Sequence, residues 1–308
     1  MSLRLRRDAP IASEVRRLVL QQLEAAISEL RAVGDPSSDE AIHDARRRVK
    51  KIRAVIRLVR PALDKTSRAI DRDLKEVSRM LAPVADGQGI IETLDQIAHR
   101  YRKLLPTRAV RSIRAGLRER STRIDREANA RGIIRMAAAT LREERRRVRC
   151  WAIHGDGFGS IAPGLEESYR RARKGMILAW SKPKGHHYHA WRRYVKDHWF
   201  HVRLVEENCG NQLLPYQRRL EALDGVLGED HNLVILRKVL GVDGYASRRE
   251  TARCLRVFSR YQRLLRHHAE TLGVRLYGEK PCHYVRRVKR LWIGAAPAHR
   301  ARGDKRSQ

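Results

Sequence analysis

The sequence predicts an all-α protein made of two related helical halves. Three observations predict it. Apolar residues recur at spacings of three and four almost throughout. No stretch alternates β-branched residues as a strand would. Residues 41–86, shifted by 146, lie on 187–232 without a gap.

The helices read, in order, as 10–33, 38–60, 64–82, 88–105, 107–128, 133–150, 165–181, 187–208, 212–227, 231–240, 247–272 and 281–292. Gly and Pro punctuation is sparse and falls between these patterns. The second helix has the best start signal. Ser37 stands three before Glu40, a capping-box spacing, just after Pro36. HGDGFGSIAPG, at 154–164, is the one clear linker. It gives an N-terminal half at 10–150, a linker at 151–164, a C-terminal half at 165–292 and a disordered basic tail at 293–308. The first residues, MSLRLRRDAPIASEVRRLVL, lack a secretory apolar core and a small-residue cleavage site. They read as a lead into the first helix.

In the repeat, His43 meets His189, and Arg46 and Arg47 meet Arg192 and Arg193. Val49 and Lys50 meet Val195 and Lys196, and Arg57 meets Arg203. Arginine matches are cheap in this chain. Gapless matches of His, Val, Lys and Leu are not.

Charge narrows the function. Among 308 residues, 67 Lys and Arg face 35 Asp and Glu, for a net +32, and 54 of the bases are Arg. A G+C-rich genome accounts for part of the preference for Arg over Lys, but not for the surplus. Such a surplus repels itself unless a polyanion neutralises it. Nucleic acid, polyphosphate and an acidic membrane surface are the candidates. No apolar run reaches the ~18–20 residues of a spanning helix, so no membrane insertion is expected. Cys150, Cys209, Cys254 and Cys282 stand alone, which fits a reducing, cytoplasmic compartment.

The surplus is concentrated in two stripes. In 41–60, Ile42, Ala45, Val49, Ile52, Ile56 and Val59 form an apolar face. His43, Arg46, Arg47, Lys50, Arg53 and Arg57 recur on an adjoining face, with Lys51 beside them. At 1.5 Å per residue this row runs ~20 Å, enough for a linear phosphate chain. From Arg46 to Arg60 there is no acid, whereas a solvated charged helix interleaves the two signs. The copy repeats the pattern with His189, Arg192, Arg193, Lys196 and Arg203. Trp191 falls on Ala45 and so reads as core. Two such stripes facing each other would make a positively charged groove or channel. Arg253, Arg256, Arg260 and Arg263 supply further cations that spacing alone does not place.

Other constellations are weaker. His186, His187, His189, His198 and His201 invite a metal, but adjacent histidines on one helix diverge, and no carboxylate or Cys stands at ligand spacing. Cys282 and His283 are neighbours and point ~100° apart. No Gly-rich phosphate loop is present. The reading is therefore of no catalytic residue, no metal and no cofactor.

The motif His43, Arg46, Lys50-Lys51, Arg53 resembles the H-x₂-R-x₃-[RK]-[RK]-x-R helix of the CHAD family, the conserved-histidine α-helical domain. His189, Arg192, Arg193 and Lys196 resemble its second copy. LGEDHN at 227–232 is similar to the family's LGxxxD segment, and LAPVAD at 81–86 to a degenerate version. The resemblance covers roughly 10–292. It implies two antiparallel bundles related by a pseudo-two-fold, with a basic central surface that binds inorganic polyphosphate, and residence at polyphosphate granules. The sequence departs from the family's pattern at Trp199 and Phe200, and at Ala85. Lys182, Lys184, His186 and His187 gather at a helix start, where N–H groups favour an anion, and can compensate. The function expected is non-catalytic polyphosphate binding. Binding of DNA or RNA through the phosphate backbone is the alternative. Chain-length preference and oligomeric state are not legible.

Overall fold

The computed structural model describes residues 3–7, 9–31, 38–63, 66–85, 87–155 and 157–295. Among them the chain is helical, and two residues, Leu63 and Ile153, form an isolated antiparallel bridge. The helices are α1 (Ile11–Arg31), α2 (Ser38–Leu58), α3 (Thr66–Met80), α4 (Ala82–Ala85), α5 (Gly87–Arg100), α6 (Thr107–Ala130), α7 (Ile133–Val148), α8 (Gly157–Ser181), α9 (Gly185–Val205), α10 (Leu214–Asp243), α11 (Arg248–Tyr277) and α12 (Pro281–Gly294). Ser37, Pro36 and Asp86 lie outside the described residues, as do 296–308 of the tail.

The predicted helices are present, with one extended and one pair merged. α8 begins at Gly157, inside the expected linker, and carries Pro163 within it. Phe158, Ile161, Leu165 and Tyr169 recur at three and four and are buried, so packing outweighs the Gly and Pro signal. α10 runs through LGEDHN without the expected break. Ahead of α1, the leader is docked. Leu3 and Leu5 are buried, and Leu5 N–H donates to Leu204 O over 2.9 Å.

The buried positions of α2 and α9 coincide under the 146-residue shift. Ile42, Ala45, Val49, Ile52, Ala54, Val55, Ile56, Leu58 and Val59 are buried in one stretch. Tyr188, Trp191, Val195, His198, Phe200, His201, Val202, Leu204 and Val205 are buried in the other. Position for position they match.

The halves do not each close a core of their own. One core joins α1, α2, α3 and α7 to α8, α9 and α12. A second joins α5 and α6 to the C-terminal part of α10 and the N-terminal part of α11. The sides of the expected 151–164 linker are therefore interleaved. α8 crosses the end of α2 so closely that a Cβ on Gly164 would stand 1.9 Å from Leu58 O. Gly164→Ala is expected to cost ~3 kcal/mol through overpacking, read as a lower urea midpoint with an unchanged m-value.

Candidate functional site

α2 and α9 carry the two basic stripes because each has one apolar face to bury and one cationic face left over. His43 and Arg47 are exposed; Arg46, Lys50 and Lys51 are half-buried. The row does not stay uniformly cationic. Asp71 on α3 accepts from Arg53 Nε at 2.8 Å. Arg57 spans from Asp71, at 3.5 Å, to Asp197 of α9, at 2.5 Å. Burial works against the charge of Arg57, but Asp197 and Asp71 hold its guanidinium above the usual range. Arg53 and Arg57 are thus tied into an ion network that staples α3 and α9 onto α2. Arg47 pairs with Asp44 one turn back, at 2.9 Å.

The second stripe is divided in the same way. Asp224 on α10 lies 2.9 Å from Lys196 Nζ and 3.9 Å from Arg192 Nε. Arg193 is exposed beside the Tyr194 ring. Arg203 lies over the Trp199 ring, 5.0 Å from its centroid. Thus Trp199 packs under a cation, and Phe200 and Trp191 are core.

One crossing contact breaks the pattern. Under the 146-residue shift Arg57 corresponds to Arg203, and Asp197 to Lys51. Where α2 and α9 cross, Arg57 meets Asp197 as an ion pair. The corresponding neighbours, Arg203 and Lys51, carry like charges. Burial first, then Arg48, Arg47 and Arg203, push the Lys51 amine down to about 8. Asp44 offsets part of this at Lys51, and Glu221 and Glu206 do so at Arg203, but no acid stands where Asp197 stands beside Arg57.

Residues 17–241 match the family model of the CHAD domain. The chain belongs to the CHAD family. Its structure is similar to the crystal structure of the CHAD domain from the plant Ricinus communis, with a TM-score of 0.53, 15% identity and 94% of each chain covered. At that identity the likeness is one of fold. No curated protein matches the chain.

In this CHAD chain the LGEDHN segment organises the second stripe. Gly228 lies under Arg192, where a Cβ would stand 3.2 Å from the guanidinium. Asp230 is buried and accepts from Gln262 at 3.0 Å and from Arg266 at 2.8 Å, which fixes α11. His231 Nδ1 stands 3.0 Å from His189 Nδ1. One of those nitrogens must carry a proton and the other must not. Asn232 donates to Gly89 O and Thr93 Oγ1, at 3.2 and 3.1 Å. At the start of α9, Lys184 caps without a side-chain hydrogen bond, and His187 Nδ1 lies 2.6 Å from Lys182 O. His198 and His201 are core, not ligands: His198 contacts the Tyr277 and Tyr284 hydroxyls, and His201 Nε2–H donates to Ala54 O at 2.8 Å. Among the described residues no group of three His, Cys, Asp or Glu side chains is placed to hold a metal ion. No helix among them is long and apolar enough to cross a membrane.

Sequence reasoning missed Asp71, Asp197, Asp224 and His231. Asp197 had a signal: it is the acid that replaces Lys51 in the second copy. Asp71 and Asp224 stand on other helices, and nothing in the stripes themselves points to them.

Proposed function

We propose that this CHAD protein binds inorganic polyphosphate without turning it over, as a cytoplasmic protein located at polyphosphate granules. The bound chain lies along the basic faces of α2 and α9. His43, Arg46, Arg47, Lys50 and Lys51 serve from the first stripe, and His189, Arg192, Arg193, Lys196 and Arg203 from the second. Arg53 and Arg57 border the site and hold its walls together. The observation that carries the reading is the gathering of cations where α2 and α9 cross, with Lys51 crowded by Arg48, Arg47 and Arg203 and only partly offset by Asp44. Cations held together at a helix crossing destabilise the fold unless an anion is shared between them. Arg and Lys suit phosphate oxygens, the former in pairs.

The test is binding of long-chain polyphosphate at ~0.15 M salt, a level that screens diffuse attraction, with duplex DNA as competitor. The Arg46→Ala/Lys50→Ala/Arg192→Ala/Lys196→Ala variant is measured alongside. Polyphosphate binding should survive excess DNA, and the variant should lose it. If DNA competes equally and the variant binds as the parent does, the charge acts diffusely, and the chain is a nucleic-acid binder instead.

A further inference from the structure

A cleft whose lining shares no residue with either stripe lies between α1 and α7. A cleft of about 440 Å³ opens there, lined by Leu30, Arg31, Gly132, Ile134, Arg135, Ala138 and Arg142. Its size falls in the range of small-molecule sites, ~300–1,000 Å³. Its floor is apolar, since Leu30, Ile134 and Ala138 are all buried. Its walls are three exposed arginines.

Those arginines stand apart from their neighbours. One turn further along α7, Arg145 pairs with Glu24, Arg146 with Glu143, and Arg147 with Glu143, Glu144 and Asp73. Among the described residues, no carboxylate pairs with Arg31, Arg135 or Arg142, and none lines the cleft. Gly132, also in the lining, caps α7 in the left-handed conformation with no side-chain hydrogen bond. The start of a helix adds a favourable field for negative charge.

We infer that this cleft binds a nucleoside polyphosphate. Three guanidinium forks match more than one phosphate group. Guanidinium planes also stack on heteroaromatic rings, and the apolar floor gives a base the surface a bare phosphate chain would leave unused. A fatty anion would use the floor but needs only one of the three arginines.

Titration calorimetry of the full chain with ADP at ~0.15 M salt tests this. One ADP should bind per chain, and Arg135→Ala/Arg142→Ala should weaken it at least about tenfold, the worth of one lost charge-assisted bond. The four-residue stripe variant described above should bind ADP like the parent, which separates this site from the polyphosphate reading. Adenosine should fail to compete, and tripolyphosphate should displace ADP only at an excess over it. Three results would overturn the inference. They are an ADP affinity untouched by the Arg135/Arg142 changes, an affinity lost in the stripe variant, or displacement by tripolyphosphate without an excess. Because both arginines are exposed, the variant should melt with the parent. Should it not, Arg31→Ala on α1 repeats the test from the opposite wall, and unchanged ADP affinity there also overturns the inference.

Discussion

The Lys51→Asp variant is expected to be more stable than the parent chain and to bind polyphosphate about 100-fold more weakly, a loss of ~2.7 kcal/mol. The two effects have one cause. The change sets a carboxylate opposite Arg203, and so rebuilds the ion pair that Asp197 and Arg57 already make at the corresponding place. It removes a cation crowded by Arg48, Arg47 and Arg203, which outweighs the lost attraction to Asp44. A partly exposed ion pair adds up to ~1 kcal/mol, and helical Asp costs ~0.5 kcal/mol against Lys. The net gain is small but positive once repulsion is gone. Binding moves the other way, because a positive contact becomes a negative one beside the phosphate chain. Urea melts and polyphosphate titrations of the same preparation check it. A variant that is less stable yet binds as the parent does would show that Lys51 is held for packing. The proton balance gives an independent sign. Lys51 titrates near 8 in the unliganded chain. An adjacent polyanion raises it towards its ordinary value. Binding at pH ~8–9 therefore takes up a proton. Affinity falls as pH climbs past 8, and Lys51→Asp abolishes that part of the dependence.

The helices were legible because burial follows the apolar period. α2 and α9 bury the residues whose spacing predicted it, and Trp191 is core as its alignment with Ala45 required. Two boundaries failed for the same reason. Gly and Pro report local preference, but Gly164 is where α8 crosses Leu58, and Gly228 is where α10 passes Arg192. Both glycines serve close approach inside a helix, and sequence alone reads them as breaks. The site was half legible. Residue type and spacing located the cations. They did not reveal which cations are already neutralised, because Asp71, Asp197 and Asp224 come from helices packed alongside. The absence of acid between Arg46 and Arg60 is real in one dimension and incomplete in three. The repeat recovers part of what was hidden. Comparing Arg57–Asp197 with Arg203–Lys51 separates a close ion pair from a place where like charges gather, and neither helix alone could do so.

Acid is expected to unfold the chain through His198 and His201, and changing one histidine should nearly flatten the effect. Burial holds both rings neutral, His198 well below its ordinary value and His201 down to about 4. In the unfolded chain both titrate near ~6.5. Their contribution is complete above that pH and is lost as pH falls towards 4, because the unfolded state takes up protons the folded state refuses. Glu144 works against them. Burial raises its carboxyl to about 7 despite Arg147, 2.9 Å away. Between pH ~4.5 and ~6.5 the folded state therefore holds one proton that the unfolded state releases. Two protons taken up by unfolded histidines, less one held by folded Glu144, leave a net difference of about one. That is a slope of ~1.4 kcal/mol per pH unit, or ~3 kcal/mol over the window. In His201→Gln the amide can still donate to Ala54 O, in place of the ring bond at 2.8 Å, but it does not titrate. The remaining histidine and Glu144 then cancel. Urea midpoints from pH 4.5 to 6.5 should fall steeply for the parent and stay nearly level for the variant. Parallel slopes in the two proteins would place the acid sensitivity elsewhere, for example in Glu14, whose carboxyl is held below its ordinary range by the hydrogen bond from Arg17.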